Sequence, residues 1–326
     1  MAAAMSDEKN PLIILTGPTA VGKTKLSVEL ARRIGGEIIS ADSMQVYRGM
    51  DIGSAKVRPE EMQGIRHYLI DEFEPDEEFH VVRFQEYARR YIREIQKKGK
   101  LPILVGGTGF YIQAVLYDIN FTENGGDFSY RDELQNLADS KGAECLHSLL
   151  AEVDPESAAA IHANNMKRVI RALEYFHETG EPISKHNEEE RQKPSPYRFA
   201  YFVLNDRREQ IYQNIDRRVD QMMEEGLLEE VKALKNRGFT RDMVSMQGLG
   251  YKEILDYLDG VYDLAEAVRI LKRDTRHFAK RQLTWFRRER DVTWVGKDQF
   301  DYEDEKILEY MITELKKRGI YDGKTV

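Results

Sequence analysis

A short apolar run that ends in a glycine-bracketed loop and continues as a helix restricts a chain's fold more than any bulk property. Residues 11–34 have that form. The run PLIILTG, from Pro11 to Gly17, reads as a buried strand. The loop Gly17, Pro18, Thr19, Ala20, Val21, Gly22, Lys23, Thr24 follows the pattern GxxxxGKT, and a helical period from Lys23 to Ile34 then stops at Gly35 and Gly36. Strand, loop and helix in this order form a phosphate-binding loop. Glycines let successive N–H groups point into one concavity, and the helix N-terminus adds positive potential. Lys23 reaches the outer phosphate, and the Thr24 hydroxyl suits magnesium. Any diphosphate fits such a loop, so the pattern alone does not say whether a nucleotide is bound.

Further apolar segments alternate with helical ones. EIISADS (Glu37 to Ser43), HYLIDE (His67 to Glu72) and LPILVGG (Leu101 to Gly107) read as strands, and Val81, Phe84, Ala88, Ile92 and Ile95 mark one face of a helix. Nearly continuous apolar strands between helices predict a parallel sheet covered on both faces. From about Ser129 to His186 the segments are helical and charged. A strand returns at YRFAYFVL (Tyr197 to Leu204), followed by long helices from about Arg207 to Asn236 and Leu264 to Arg288. The expected fold class is α/β, a P-loop NTPase-like parallel sheet flanked by helices with an inserted all-helical subdomain. Residues 11–120 and 197–326 would form the core and residues 121–196 the insertion.

Three positions outside the loop suggest chemistry. Asp42 follows the second strand at the carboxyl edge of the sheet, where open α/β folds build their sites, and could act as a base. With Gln45 three residues later it equally resembles a capping box that starts a short helix. GGTGFY (Gly106 to Tyr111) ends another strand, so its glycines can bring backbone close to a ligand and Thr108 can offer a hydroxyl. Arg218 lies on the apolar stripe of Ile211, Ile215, Val219 and Met222. A core-facing arginine needs an anionic partner, either a structural carboxylate or a bound diphosphate. YLIDE has the form of a hydrolase's apolar run and acid, but no NKxD-type motif accompanies it. The histidines show no metal-ligand spacing. A single cysteine, Cys145, excludes a disulfide framework and a four-cysteine zinc site.

Net charge is −8, which argues against a polyanion partner until its distribution is considered. Between Ala265 and Arg290 the chain carries nine Lys or Arg against three acids. Such a run is either a solvated helix face or a nucleic-acid contact. The start lacks a basic n-region with an apolar core, and no span of about 18 apolar residues occurs, so a cytoplasmic protein with no membrane association is expected.

Taken together, GPTAVGKT, SADSMQVYRGMDIGSAK (Ser40 to Lys56), HYLID, GGTGFY, NNMKRVIRALE (Asn164 to Glu174) and QGLGYKE (Gln247 to Glu253) closely resemble the tRNA dimethylallyltransferase, or IPP transferase, family. The order and spacing match from about Pro11 to Arg288. Two departures occur. Tyr68 stands where the family usually has a second histidine, and Phe110 replaces a common leucine. The resemblance implies transfer of a dimethylallyl group from dimethylallyl diphosphate to the exocyclic amine of the adenosine just 3′ of the tRNA anticodon, with Mg²⁺ as cofactor. It implies Asp42 as the base, and Thr108 and Arg218 beside the leaving diphosphate. It also implies contacts to the anticodon stem-loop from Asp42, Ser43, Met44, Gln45, Thr108, Arg131, Met166, Lys167, Arg168, Val169, Ile170, Gln247, Gly248, Leu249, Gly250, Tyr251 and Lys252. The basic helix would add phosphate contacts, and a monomer is expected. The rivals are an isopentenyltransferase acting on free AMP or ADP, a P-loop small-molecule kinase, and a nucleotide-dependent RNA-binding switch with no chemistry. The helical insertion and the long basic helix favour a macromolecular acceptor.

Overall fold

Leu12, Ile13, Ile14 and Leu15 are all fully buried, as a strand covered on both faces requires. The computed structural model, which describes residues 9–121 and 129–323, places them in the middle of a parallel sheet. In chain order the first half of the core is β1 (Pro11–Thr16), α1 (Lys23–Ile34), β2 (Gly36–Ser40), α2 (Pro59–Met62), β3 (His67–Tyr68), α3 (Val81–Lys97), β4 (Leu101–Gly106) and α4 (Gly109–Leu116). The insertion contains α5 (Ser129–Lys141), α6 (Ala143–Val153), α7 (Pro155–Ala160), α8 (Met166–Thr179) and α9 (Ile183–Gln192). The core then resumes with β5 (Arg198–Asn205), α10 (Arg208–Glu224), α11 (Leu227–Asn236), α12 (Tyr251–Leu258), α13 (Leu264–Phe286), β6 (Val292–Gly296) and α14 (Asp304–Lys317).

The six strands run in the order β3-β2-β4-β1-β5-β6, every pairing parallel. In register, Ile13 lies opposite Ile103 of β4 and Ala200 of β5. The strand ends at Thr16, Ser40 and Gly106 therefore share the carboxyl edge, where the loops that carry Gly17, Asp42 and Thr108 emerge. One face packs on α1 and α14 through Leu26, Leu30, Ile307, Met311 and Leu315.

Three expectations change. HYLIDE forms a strand only at His67–Tyr68, because Leu69 and Asp71 adopt positive φ (59° and 54°) and the Leu69 N–H donates to Glu72 Oε1 at 2.7 Å. The helix expected from Arg207 to Asn236 is two helices, parted at Gly226 with φ 104°. A sixth strand, VTWVG, extends the sheet beside β5. The YLIDE acids have structural partners: Asp71 pairs with buried Lys56 at 2.5 Å, and Glu72 accepts the Tyr91 hydroxyl at 2.6 Å.

Residues Tyr117–Ser195 form a second compact unit with its own core of Leu134, Leu146, Leu150, Val169 and Leu173. Within it Asp154 caps α7 through the Ser157 N–H at 3.0 Å and accepts the Ser184 hydroxyl at 2.6 Å. Among the described residues, no helix is long and apolar enough to cross a membrane.

Candidate functional site

The phosphate loop is walled by two helices that follow the insertion in sequence. Its tip, Ala20, has φ 62°, a left-handed conformation that costs a residue with a Cβ about 1 kcal/mol or more. It is held there by packing against Ile211 and Ile215 of α10 and Ala279 of α13. The Thr19 N–H is held by Gln282 Oε1 of α13 at 2.8 Å. At the loop's start only glycine fits, since a Cβ on Gly17 would stand 2.2 Å from the Leu204 carbonyl oxygen. Lys23 Nζ donates to the Gly17 and Pro18 carbonyls, each at 2.9 Å. Burial, helped by nearby Arg218 and opposed by Asp42, lowers its pKa to about 7. A bound anion would restore its charge.

Asp42 and Thr108 stand on adjacent loops. The Ala41 carbonyl accepts the Thr108 N–H at 3.2 Å, and a Cβ on Gly106 would lie 2.2 Å from the same oxygen, so this glycine permits the approach. Asp42 Oδ1 accepts the N–H of Met44 at 2.8 Å and of Gln45 at 3.4 Å. These are the bonds of a cap, yet only turns follow, so the capping reading describes the hydrogen bonds and not a helix. Burial raises the Asp42 pKa against the pull of those amides and Lys23. A carboxylate so placed is a better proton acceptor than an exposed one.

Arg218 lies half-buried on α10, and no carboxylate forms an ion pair with it among the described residues. Burial pushes its pKa down, opposed by the charge of Glu61. Of the two partners open to this arginine, a structural carboxylate in ion-pair contact is missing among the described residues. Lys297, which the sequence does not single out, brings Nζ to 3.3 Å from where a Cβ on Gly22 would sit. It follows β6, the strand not expected from the sequence. The Thr24 hydroxyl, in the first turn of α1, makes no hydrogen bond among the described residues. That suits a magnesium ion whose other ligands are phosphate oxygens and water, the usual arrangement for this ion.

Two distant motifs come together beside Asp42. Glu230 of α11 accepts the N–H groups of Asp51 (3.0 Å), Ile52 (2.8 Å) and Gly53 (3.1 Å) and the Tyr251 hydroxyl (2.8 Å). The Met44 side chain packs on Gly248, where a Cβ would lie 2.5 Å from Cε. Residues 42–45 and 247–252 are thus neighbours, with Gln247 exposed, Gly248, Leu249 and Lys252 half-buried, and Gly250 and Tyr251 buried. The Gln45 amide is engaged with the protein, accepting from the Ser40 hydroxyl at 3.1 Å and donating to the Ala55 carbonyl at 3.1 Å. Ser43 is half-buried.

In the insertion, Arg131 makes a two-pronged ion pair with buried Glu174 at 2.7 and 2.8 Å. Lys167 and Arg168 are exposed and Met166 half-buried, but Val169 and Ile170 belong to the core, so they could meet an RNA only through their backbone. On α13 the positive charge divides. Arg269, Lys272, Arg273 and Arg276 pair with Glu266, Asp220, Asp274 and Asp216. Lys280, Arg281, Arg287 and Arg288 have no such partner among the described residues. His277, Lys280, Arg281, Thr284, Trp285 and Arg288 line one open pocket there.

A model of the family described as IPP transferase matches residues 45–289. The chain is 64% identical over 310 residues to the tRNA dimethylallyltransferase of Lachnoclostridium phytofermentans, covering 95% of this chain and 99% of that one. It is 52% identical to that of Acetivibrio thermocellus, again over 95% and 99%. Among solved structures, the full-length tRNA isopentenylpyrophosphate transferase from Bacillus halodurans matches with a TM-score of 0.72 and 48% identity, over 95% of this chain and 98% of that one. A eukaryotic dimethylallyltransferase acting on tRNA matches with a TM-score of 0.76 and 30% identity, over 88% and 74%.

Proposed function

We propose, starting from a chain that belongs to the IPP transferase family, that its phosphate loop holds dimethylallyl diphosphate while Asp42 takes a proton from the acceptor amine. The chain is a transferase that prenylates tRNA. The acceptor proposed is the adenosine 3′-adjacent to the anticodon. The relatives, all named for tRNA, do not favour free AMP or ADP as acceptor or a kinase reaction.

The observation that carries the donor assignment is Arg218, half-buried and in no ion pair with a carboxylate among the described residues, and close enough to Lys23 for its charge to lower that lysine's pKa. Two cations crowded in this way are stabilised by an anion of high charge, and a diphosphate is one. As the allylic carbon–oxygen bond loosens, charge builds on the diphosphate. The loop amides, Lys23, Arg218 and the Thr108 hydroxyl stabilise it. Magnesium, bound at Thr24 and the phosphates, would neutralise part of that charge. The adenine amine forms the new carbon–nitrogen bond and loses its proton to Asp42. The base reaches the donor by leaving its stack, at a cost of a few kcal/mol, roughly, and less in a loop than in a duplex. Residues 42–45 and 247–252 would meet it, and Lys280, Arg281, Arg287 and Arg288 the phosphates.

The test is transfer of label from dimethylallyl diphosphate into unmodified tRNA with magnesium present. Incorporation that vanishes when the anticodon-adjacent adenosine is replaced supports the reading. Incorporation into AMP or ADP and none into tRNA overturns it.

A further inference from the structure

Gln282 touches two loops at once. Its Oε1 accepts the Thr19 N–H at 2.8 Å, and its Nε2 donates to the Gly107 carbonyl at 3.0 Å. The residue is 6% exposed and lies 263 and 175 positions from its two partners. A primary amide supplies donor and acceptor from adjacent atoms, which a carboxylate, an ammonium or an aliphatic group does not. The partner loop is shaped to receive it, since a Cβ on Gly107 would stand 2.1 Å from Gln282 Nε2. One turn further along α13, a Cβ on Gly109 would lie 2.2 Å from the Trp285 ring. Gly107 and Gly109 are therefore matched to this helix face, while Gly106 serves the approach of the Ala41 loop.

We propose that Gln282 is a positioning residue that sets the separation between the phosphate loop and the Thr108 loop, and so the place of the donor relative to Asp42 and Thr108. This rests on the donor assignment made above. Gln282 acts through others: its bond consumes the Thr19 N–H and fixes the loop beside strained Ala20, while Lys23, held on the Gly17 and Pro18 carbonyls, makes no contact with it. Losing the bridge should leave diphosphate binding nearly intact and misalign the two loops. A displacement of about 1 Å between reacting groups can cost about 100-fold in rate.

The experiment compares Gln282→Met, which keeps length and removes both bonds, with Gln282→Glu, which keeps the acceptor for Thr19 and loses the donor to Gly107. Three quantities are measured for each: inorganic diphosphate binding by calorimetry with magnesium, kcat and KM for dimethylallyl diphosphate with saturating tRNA, and Tm. The expected result for both is a kcat at least tenfold down, with KM and diphosphate affinity within about threefold of wild type. If Gln282→Met fails to fold, Gln282→Glu decides. An unchanged kcat overturns the proposal. So does a loss of diphosphate affinity as large as the loss of kcat, or a kcat restored merely by assaying further below Tm. Wild-type protein that binds diphosphate but prenylates no tRNA overturns the reaction instead, and leaves the bridge to be judged by the binding data.

Discussion

Replacing Glu230 by glutamine removes one oxygen from a carboxylate that accepts four hydrogen bonds. Oε2 accepts from the amides of Asp51 and Ile52, and Oε1 from the Gly53 amide and the Tyr251 hydroxyl. A glutamine must turn its NH₂ toward one pair. Facing Asp51 and Ile52 it would orphan two amides. Facing Gly53 and Tyr251 it orphans one, since the phenol can rotate and accept. The second orientation should win. Its cost is one unsatisfied N–H, about 1–3 kcal/mol, plus the loss of charge from the two remaining bonds, about 1 kcal/mol. About 3 kcal/mol in all, at about 1.5 °C per kcal/mol for a chain of 326 residues, lowers the unfolding midpoint by about 4–5 °C. Glu229→Gln is the control, because among the described residues that neighbour makes only an exposed pair with Lys232 and should move stability by less than about 0.5 kcal/mol. Equal midpoints for the two variants, followed by circular dichroism, would refute this account of how the 51–53 turn is held.

Asp42→Asn should lower turnover about 100- to 10,000-fold with tRNA binding retained; unchanged turnover would sink the base assignment. Because burial raises the Asp42 pKa, kcat/KM should climb with pH along a limb lying above the ordinary carboxylate value of about 4, a limb absent from the residual activity of the asparagine variant. The same shift has a stability consequence. A carboxyl with a raised folded pKa contributes stability below its unfolded pKa that is lost as pH rises through the folded one, so asparagine should raise Tm at neutral pH. Arg218→Met should weaken diphosphate binding about 10- to 150-fold without lowering Tm, whereas a Tm loss at unchanged affinity would point to a structural partner. Glutamine at Lys280, Arg281 and Arg288 should reduce the salt dependence of tRNA binding by about 0.7–0.9 for each phosphate that is no longer neutralised; the same change at Arg269 and Arg273, already paired, should reduce it less.

The parts of the site legible in the sequence are those whose logic is local. The phosphate loop declares itself because eight consecutive residues, Gly17 to Thr24, perform one task. Arg218 is visible because a helical stripe exposes a misplaced charge, and among the described residues no carboxylate ion pair accounts for it. What the sequence hides depends on distance. Gln282 looks like any polar residue of a basic helix until α13 lies against the loops. Lys297 follows a five-residue strand hidden behind that helix's charges. The break at Gly226 is within reach of sequence reasoning, since a glycine after a charged run commonly ends a helix. HYLIDE misleads because its apolar run suits a strand while Glu72 draws the chain into a turn.

The position of β5 bears on how the molecule is made. β1 lies between β4 and β5, and the tip of its loop rests on α10 and α13, so an early-made motif is finished by segments synthesised up to 263 positions later. At about 5–20 residues per second, the 263 positions between Thr19 and Gln282 take about 13–50 s to add. For most of that interval the nascent chain carries a phosphate loop with neither of its helical walls, and after α10 is made it still lacks α13, while the insertion, whose own core is built from one continuous stretch of chain, can already fold. Competence to hold a ligand should therefore arrive late and abruptly, as α13 docks, rather than grow with chain length.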